Sequence, residues 1–172
     1  MKIISLLLGF ICFIIMASCG RPEETSSLYR IIGTNDLTPV RINKQNQSIV
    51  KAIGRMDIGC TVTHLGKGLA ITAGHCIWEE DFSGIRRHSR RCNQRIYDIE
   101  WGVTQDDSGY LISECQEVLI SEMNEQRDYA LIRVHPIPES SIPLAEASHD
   151  LIGSNIIIYS HPDKRPLEMS AW

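Results

Sequence analysis

Apolar residues in this chain come in short runs separated by Gly, Asn, Asp and Pro rather than at helical spacing. The runs cover residues 48–53, 59–64, 69–73, 96–103, 110–112, 116–120 and 129–134. Runs of this length, rich in β-branched residues and bounded by turn formers, predict an all-β barrel or sandwich. Asp106-Asp107-Ser108-Gly109 lies between two of them and reads as a hairpin turn. A proline-rich crossing follows the last run, from His135-Pro136-Ile137-Pro138 to Ile142-Pro143-Leu144. Beyond it, Asn155-Ile156-Ile157-Ile158-Tyr159 is β-prone and uncharged, a composition that aggregates when its edge is unpaired. No internal repeat and no low-complexity tract interrupts this pattern.

One apolar stretch is different in kind. Residues 3–16 follow Met1-Lys2, are too few to span a bilayer, and suit the core of a signal peptide. The stretch ends at Met16-Ala17-Ser18-Cys19-Gly20, small residues before a cysteine. This resembles the bacterial lipobox, which implies lipidation at Cys19, with ordinary secretion as the alternative. Residues 20–30 form a polar tether. The mature chain is therefore expected outside the bacterial cytoplasm, as an anchored lipoprotein or a secreted protein, where disulfides persist. Its membrane contact is expected only through a lipid anchor at Cys19.

Composition adds limits. A hydrophobic content of 43% is ordinary for a globular core. A net charge of −4 argues against nucleic acid as a partner. The basic cluster Arg86-Arg87-His88-Ser89-Arg90-Arg91 is local and reads as an exposed loop. Of six cysteines, Cys12 falls in the signal core and Cys19 is the lipid candidate. The other four, Cys60, Cys76, Cys92 and Cys115, allow three pairings. They show no C-x-x-C or H-E-x-x-H spacing, so neither a metal site nor a cofactor is expected.

The chemistry concentrates in Cys60-Thr61-Val62-Thr63-His64 and Leu69-Ala70-Ile71-Thr72-Ala73-Gly74-His75-Cys76-Ile77. An apolar strand that ends on a histidine holds a titratable ring on a rigid element, as acid–base chemistry requires. Asp128 opens a second apolar run, Asp128-Tyr129-Ala130-Leu131-Ile132-Arg133-Val134, which is unusual for a solvated loop carboxylate. Thr72 to Cys76 resemble the T-A-G-H-C motif of trypsin-like serine proteases. Asp128 and the residues after it are similar to that family's aspartate motif, in the family's order. The resemblance implies a general base at His75 and an orienting acid at Asp128, acting on a protein or peptide substrate. It also implies a Cys60–Cys76 bridge, which leaves Cys92 with Cys115.

Residues 31–40, IIGTNDLTPV, resemble the mature start of bacterial glutamyl endopeptidases, a branch of the same superfamily. Residues 151–153 and 156–162 look like the opening strand of that family's second barrel. Arg30-Ile31-Ile32-Gly33 resembles a zymogen activation junction, with cleavage between Arg30 and Ile31. The organisation implied is a trypsin-like double β-barrel. A signal peptide covers 1–18 and a tether 19–30. The first barrel spans 31–138, and 139–172 hold the linker and first strand of a second barrel that is only begun.

The nucleophile is missing. The family carries it in Gly-x-Ser-Gly, after the aspartate. Ser108-Gly109 is the only superficial match and lies before Asp128. None of Ser140, Ser141, Ser148, Ser154, Ser160 and Ser170 is followed by glycine. At 172 residues the chain is also short for a two-barrel domain of about 200–250. The expectation is a serine endopeptidase whose nucleophile-bearing half is absent here, so that this chain alone is inactive. One alternative is a non-catalytic remnant or binding lipoprotein. Another is an enzyme completed in trans by a separate C-terminal half.

Overall fold

A computed structural model describes residues 36–77, 84–86, 90–92, 98–145 and 154–171. In chain order its strands are β1 (Thr38–Pro39), β2 (Ile53–Met56), β3 (Thr61–Gly66), β4 (Leu69–Thr72), β5 (Gly84–Arg86) and β6 (Arg90–Arg91). They continue with β7 (Asp98–Val103), β8 (Ser108–Met123), β9 (Asp128–His135), β10 (Ile157–Ser160) and β11 (Glu168–Ala171). One short helix, α1 (Gln47–Lys51), precedes β2.

Six of these strands close an antiparallel barrel in the order β8-β7-β2-β3-β4-β9, with β9 pairing back onto β8. Closure depends on β8. Its first half pairs with β7, and from Glu114 to Met123 it pairs with β9. The β8–β9 register shifts between Cys115 and Glu117 and again between Val118 and Ile120. Such bulges bend and twist a strand, which lets one long strand turn the corner of a barrel. The separate runs at 110–112 and 116–120 are therefore parts of one strand. Arg86 and Arg90-Arg91, expected on a loop, lie in β5 and β6, both of which hydrogen-bond to β8.

Alternation of side chains fills the interior. Val62 and His64 of β3, Ala70 and Thr72 of β4, and Ala130, Ile132 and Val134 of β9 are buried. Met56, Ile99, Trp101 and Val118 join Val62, Ala70, Ala130, Ile132 and Val134 in one core. Gly54 faces the indole. A Cβ there would come within 2.8 Å of the Trp101 ring and 2.5 Å of Ile99, so only glycine fits. Trp101 Nε1 donates to Ser113 Oγ at 2.8 Å, which donates to the Pro136 carbonyl at 2.5 Å. That chain ties the indole to the start of the proline-rich crossing.

The run at 48–53 is helix through Lys51, not strand. Asn43 Oδ1 accepts from the Gln45 and Asn46 amides, and Asn46 Oδ1 accepts from the Asn43 amide. These side-chain bonds set a turn that starts the helix before the strand pattern takes hold. Val50 of α1 packs with Val40, Ile53 and Leu167 in a second apolar cluster.

A three-stranded antiparallel sheet has the order β1-β11-β10. The crossing segment runs along β3, where the Ile142 amide donates to the His64 carbonyl at 2.8 Å. His64 Nδ1 donates to the Ser140 carbonyl at 2.6 Å, and its Nε2 accepts from the Gly68 amide at 3.1 Å. Both ring nitrogens are thereby committed to backbone, and His64 is a structural histidine.

Candidate active site

Strand β4 ends at Thr72, and a 3₁₀ turn over Gly74–Ile77 carries His75. Two anchors fix that turn. Thr72 Oγ1 donates to the Thr61 carbonyl at 2.8 Å, and Cys76 is joined to Cys60 by a disulfide with Cα atoms 6.2 Å apart. Cys76 and Ile77 are buried in the barrel core, so His75 emerges from a turn held on its C-terminal side. A second disulfide joins Cys92 to Cys115.

Register then decides what His75 meets. Thr72 pairs with Ala130, so continuing the antiparallel ladder past the end of β4 places Gly74 beside Asp128. The approach is close enough to need glycine at position 74. A Cβ there would lie 3.0 Å from Asp128 Oδ1 and would overlap the carbonyl oxygen of Glu122.

The Asp128 carboxylate takes two hydrogen bonds from His75. Nδ1 donates to Oδ2 at 2.5 Å and the backbone N–H donates to Oδ1 at 2.9 Å. The acceptor-only carboxylate fixes the proton on Nδ1 and leaves Nε2 as the basic nitrogen of the neutral ring. Burial pushes the Asp128 carboxyl up. The hydrogen bonds and charge of His75, helped by the Gly74 amide, outweigh it and hold the group below the usual carboxylate range. Asp128 therefore stays ionised beside the ring.

Asp128 is more open to solvent than its place at the head of an apolar run suggests. Its side chain is 41% exposed and that of His75 54%. Asp128 is the first residue of β9, directly after the β8–β9 hairpin turn, and a carboxylate at a strand end is open to solvent.

Ser108-Gly109 belongs to the β7–β8 hairpin, with Val103 paired to Ser108 and Asp107 Oδ1 accepting from the Gly109 amide at 3.0 Å. The hydroxyls of Ser113 and Ser170 are committed to the Pro136 carbonyl and to Asp36. Cys60, His75 and Cys76 present ligand-type atoms within 4.8 Å of one another. The two sulfurs are bonded to each other, so they offer no thiolate to a metal. Cys19, Arg30 and Ile31 lie outside the described residues. Among those residues no helix is long and apolar enough to cross a membrane.

Glu122 and His161 are among the buried polar groups that the sequence did not reveal. Glu122, on β8 beside the His75 turn, is 4% exposed. His161 is 1% exposed, and its backbone N–H donates to Thr61 Oγ1 at 2.8 Å, tying the approach to β11 onto the barrel. A charged residue at the end of an otherwise amphipathic strand was the only sequence signal for Glu122. No protein-family model matches the chain, and no curated protein matches it.

Proposed function

We propose that the chain is the histidine–aspartate half of an exported serine endopeptidase of the trypsin-like kind. The observation that carries this reading is the two-point hold of Asp128 on His75, at the ring and at the backbone of one residue. In the mechanism His75 Nε2 takes the proton of a serine hydroxyl as it attacks the scissile carbonyl, then gives it to the leaving amine. Asp128 keeps the ring in the productive tautomer and stabilises the imidazolium without itself taking the proton. The closed six-stranded barrel and the disulfide beside the histidine turn support the assignment. Two disulfides also fit an oxidising compartment, in line with export.

No serine of this sequence is assigned as nucleophile. In this proposal it comes from a Gly-x-Ser-Gly segment in a continuation of the reading frame or in a separate polypeptide. A peptide-binding module is the second reading, favoured by Ile156, just before β10, and Ile157 and Ile158 within it, which are all more than half exposed. A fluorophosphonate probe tests the choice on protein translated from the natural reading frame and its neighbour. The peptidase reading expects covalent labelling of a serine, abolished by His75→Ala. Labelling that is absent, or indifferent to His75, removes it.

A further inference from the structure

Burying a carboxylate is unfavourable unless charge and hydrogen bonds are returned to it. Glu122 is buried on the strand beside the dyad, and its partners are unusually local. Oε1 accepts from Asn124 Nδ2 at 2.9 Å, and Oε2 lies 3.7 Å from Arg127 Nη1. The side chain of Glu122 is 5% exposed and that of Arg127 67%, so the arginine lies over the buried acid from the solvent side.

Asn124 passes the hold onward. Its Oδ1 accepts from the Gln126 and Arg127 amides, both at 2.9 Å, and its own amide donates to the Arg127 carbonyl at 2.8 Å. The β8–β9 turn is thus fixed at both ends by one asparagine, and that asparagine by Glu122. Asp128 is the next residue. On the other side the Glu122 carbonyl abuts Gly74, the residue before His75, closely enough to exclude a Cβ. One residue therefore sets both walls of the site: its backbone seats the histidine turn, and its side chain seats the aspartate turn.

We propose that Glu122 is a positioning residue, whose buried carboxylate, through Asn124 and Arg127, aims Asp128 at His75. Its catalytic importance rests on the peptidase reading above, while the geometric claim does not. Displacing a reacting group by about 1 Å can cost roughly 10²-fold in rate, so a half-exposed acid needs such a hold.

The test uses the isotopically labelled chain and two signals in the resting protein. These are the titration of the Asp128 carboxyl carbon and the hydrogen-bonded Nδ1 proton of His75. Glu122→Ala is expected to move the Asp128 titration up toward the ordinary carboxylate range and to erase the Nδ1 proton signal. Glu122→Gln keeps an oxygen for Asn124 and should restore both in large part. Asn124→Ala, at an exposed site, should reproduce Glu122→Ala and decides the matter if that variant does not fold. A folded Glu122→Ala or Asn124→Ala with unchanged signals overturns the proposal and makes Glu122 mere hairpin support. Both signals are read without turnover. A protein with no peptidase activity but with the expected shifts sinks the function and leaves the positioning role standing.

Discussion

Thr72 lies opposite Ala130 on the neighbouring strand, and this one pairing brings Gly74, His75 and Asp128 together. His75 and Asp128 meet through strand register, with Gly74 as the contact point between their backbones.

Gly74→Ala therefore injures the site more than a surface substitution would. The new methyl overlaps the Glu122 carbonyl, a backbone atom that cannot swing aside. Overpacking of this kind costs roughly 1–3 kcal/mol. A thermal melt should show lower stability, together with loss of the His75 Nδ1 proton signal. Wild-type stability with the signal intact would show that the turn has more room than the geometry gives it.

Replacing both Cys60 and Cys76 by serine removes the staple of the histidine turn. For a cross-link spanning 16 residues the loss is about 3 kcal/mol. Denaturant unfolding measures it directly. A variant within a few tenths of a kcal/mol of wild type would mean that Ile77 and the Thr72–Thr61 bond hold the turn by themselves.

His161 should make stability depend on pH. Burial, with the Arg55 charge adding to it, outweighs the Arg165 carbonyl and Glu100 and lowers its value to about 4, against 6.5 for a free side chain. Between those values the unfolded chain binds a proton that the folded chain refuses, so stability rises with pH across that window. It is at its full value above about 6.5 and is lost as pH falls toward 4, by roughly 3 kcal/mol in all. Among the described residues its Nε2 has no hydrogen-bond partner, so nothing there rewards protonation. Urea unfolding at pH 7.5, 5.5 and 4.5 should show the decline, and His161→Gln should flatten it. An equal slope in both proteins would assign the dependence to carboxylates instead.

Ile157, in the edge strand β10, is 54% exposed between two similarly exposed isoleucines. An apolar strand edge invites pairing with another chain. Light scattering should find concentration-dependent association of residues 20–172, reduced by Ile157→Lys with the melting temperature unchanged. A monodisperse monomer at high concentration would contradict this.

What the sequence made legible was local. Thr72 to Cys76 and Asp128 to Val134 each carry a strand pattern with a titratable residue at its end in one continuous stretch, so both could be read without a partner. The all-β class followed from the same short runs. What depends on pairing could not be read. The double register shift in β8 joins two apparent runs and sets Ser121 opposite the buried Ala130, and no local pattern encodes that shift. The helix at Gln47–Lys51 was hidden because asparagine side chains, rather than apolar spacing, begin it. The exposure of Asp128 was likewise out of reach, since it reflects where β9 begins on the barrel rim.

The most direct test is the rate of peptide hydrolysis by protein translated from the complete natural reading frame, compared with its Asp128→Asn variant. Asparagine keeps the shape but presents the wrong hydrogen-bonding partner to Nδ1 and so favours the wrong tautomer of His75. The account predicts measurable endopeptidase turnover whose kcat falls by about 10⁴-fold in the variant, with the fold intact by circular dichroism. Turnover that survives Asp128→Asn within tenfold would contradict it.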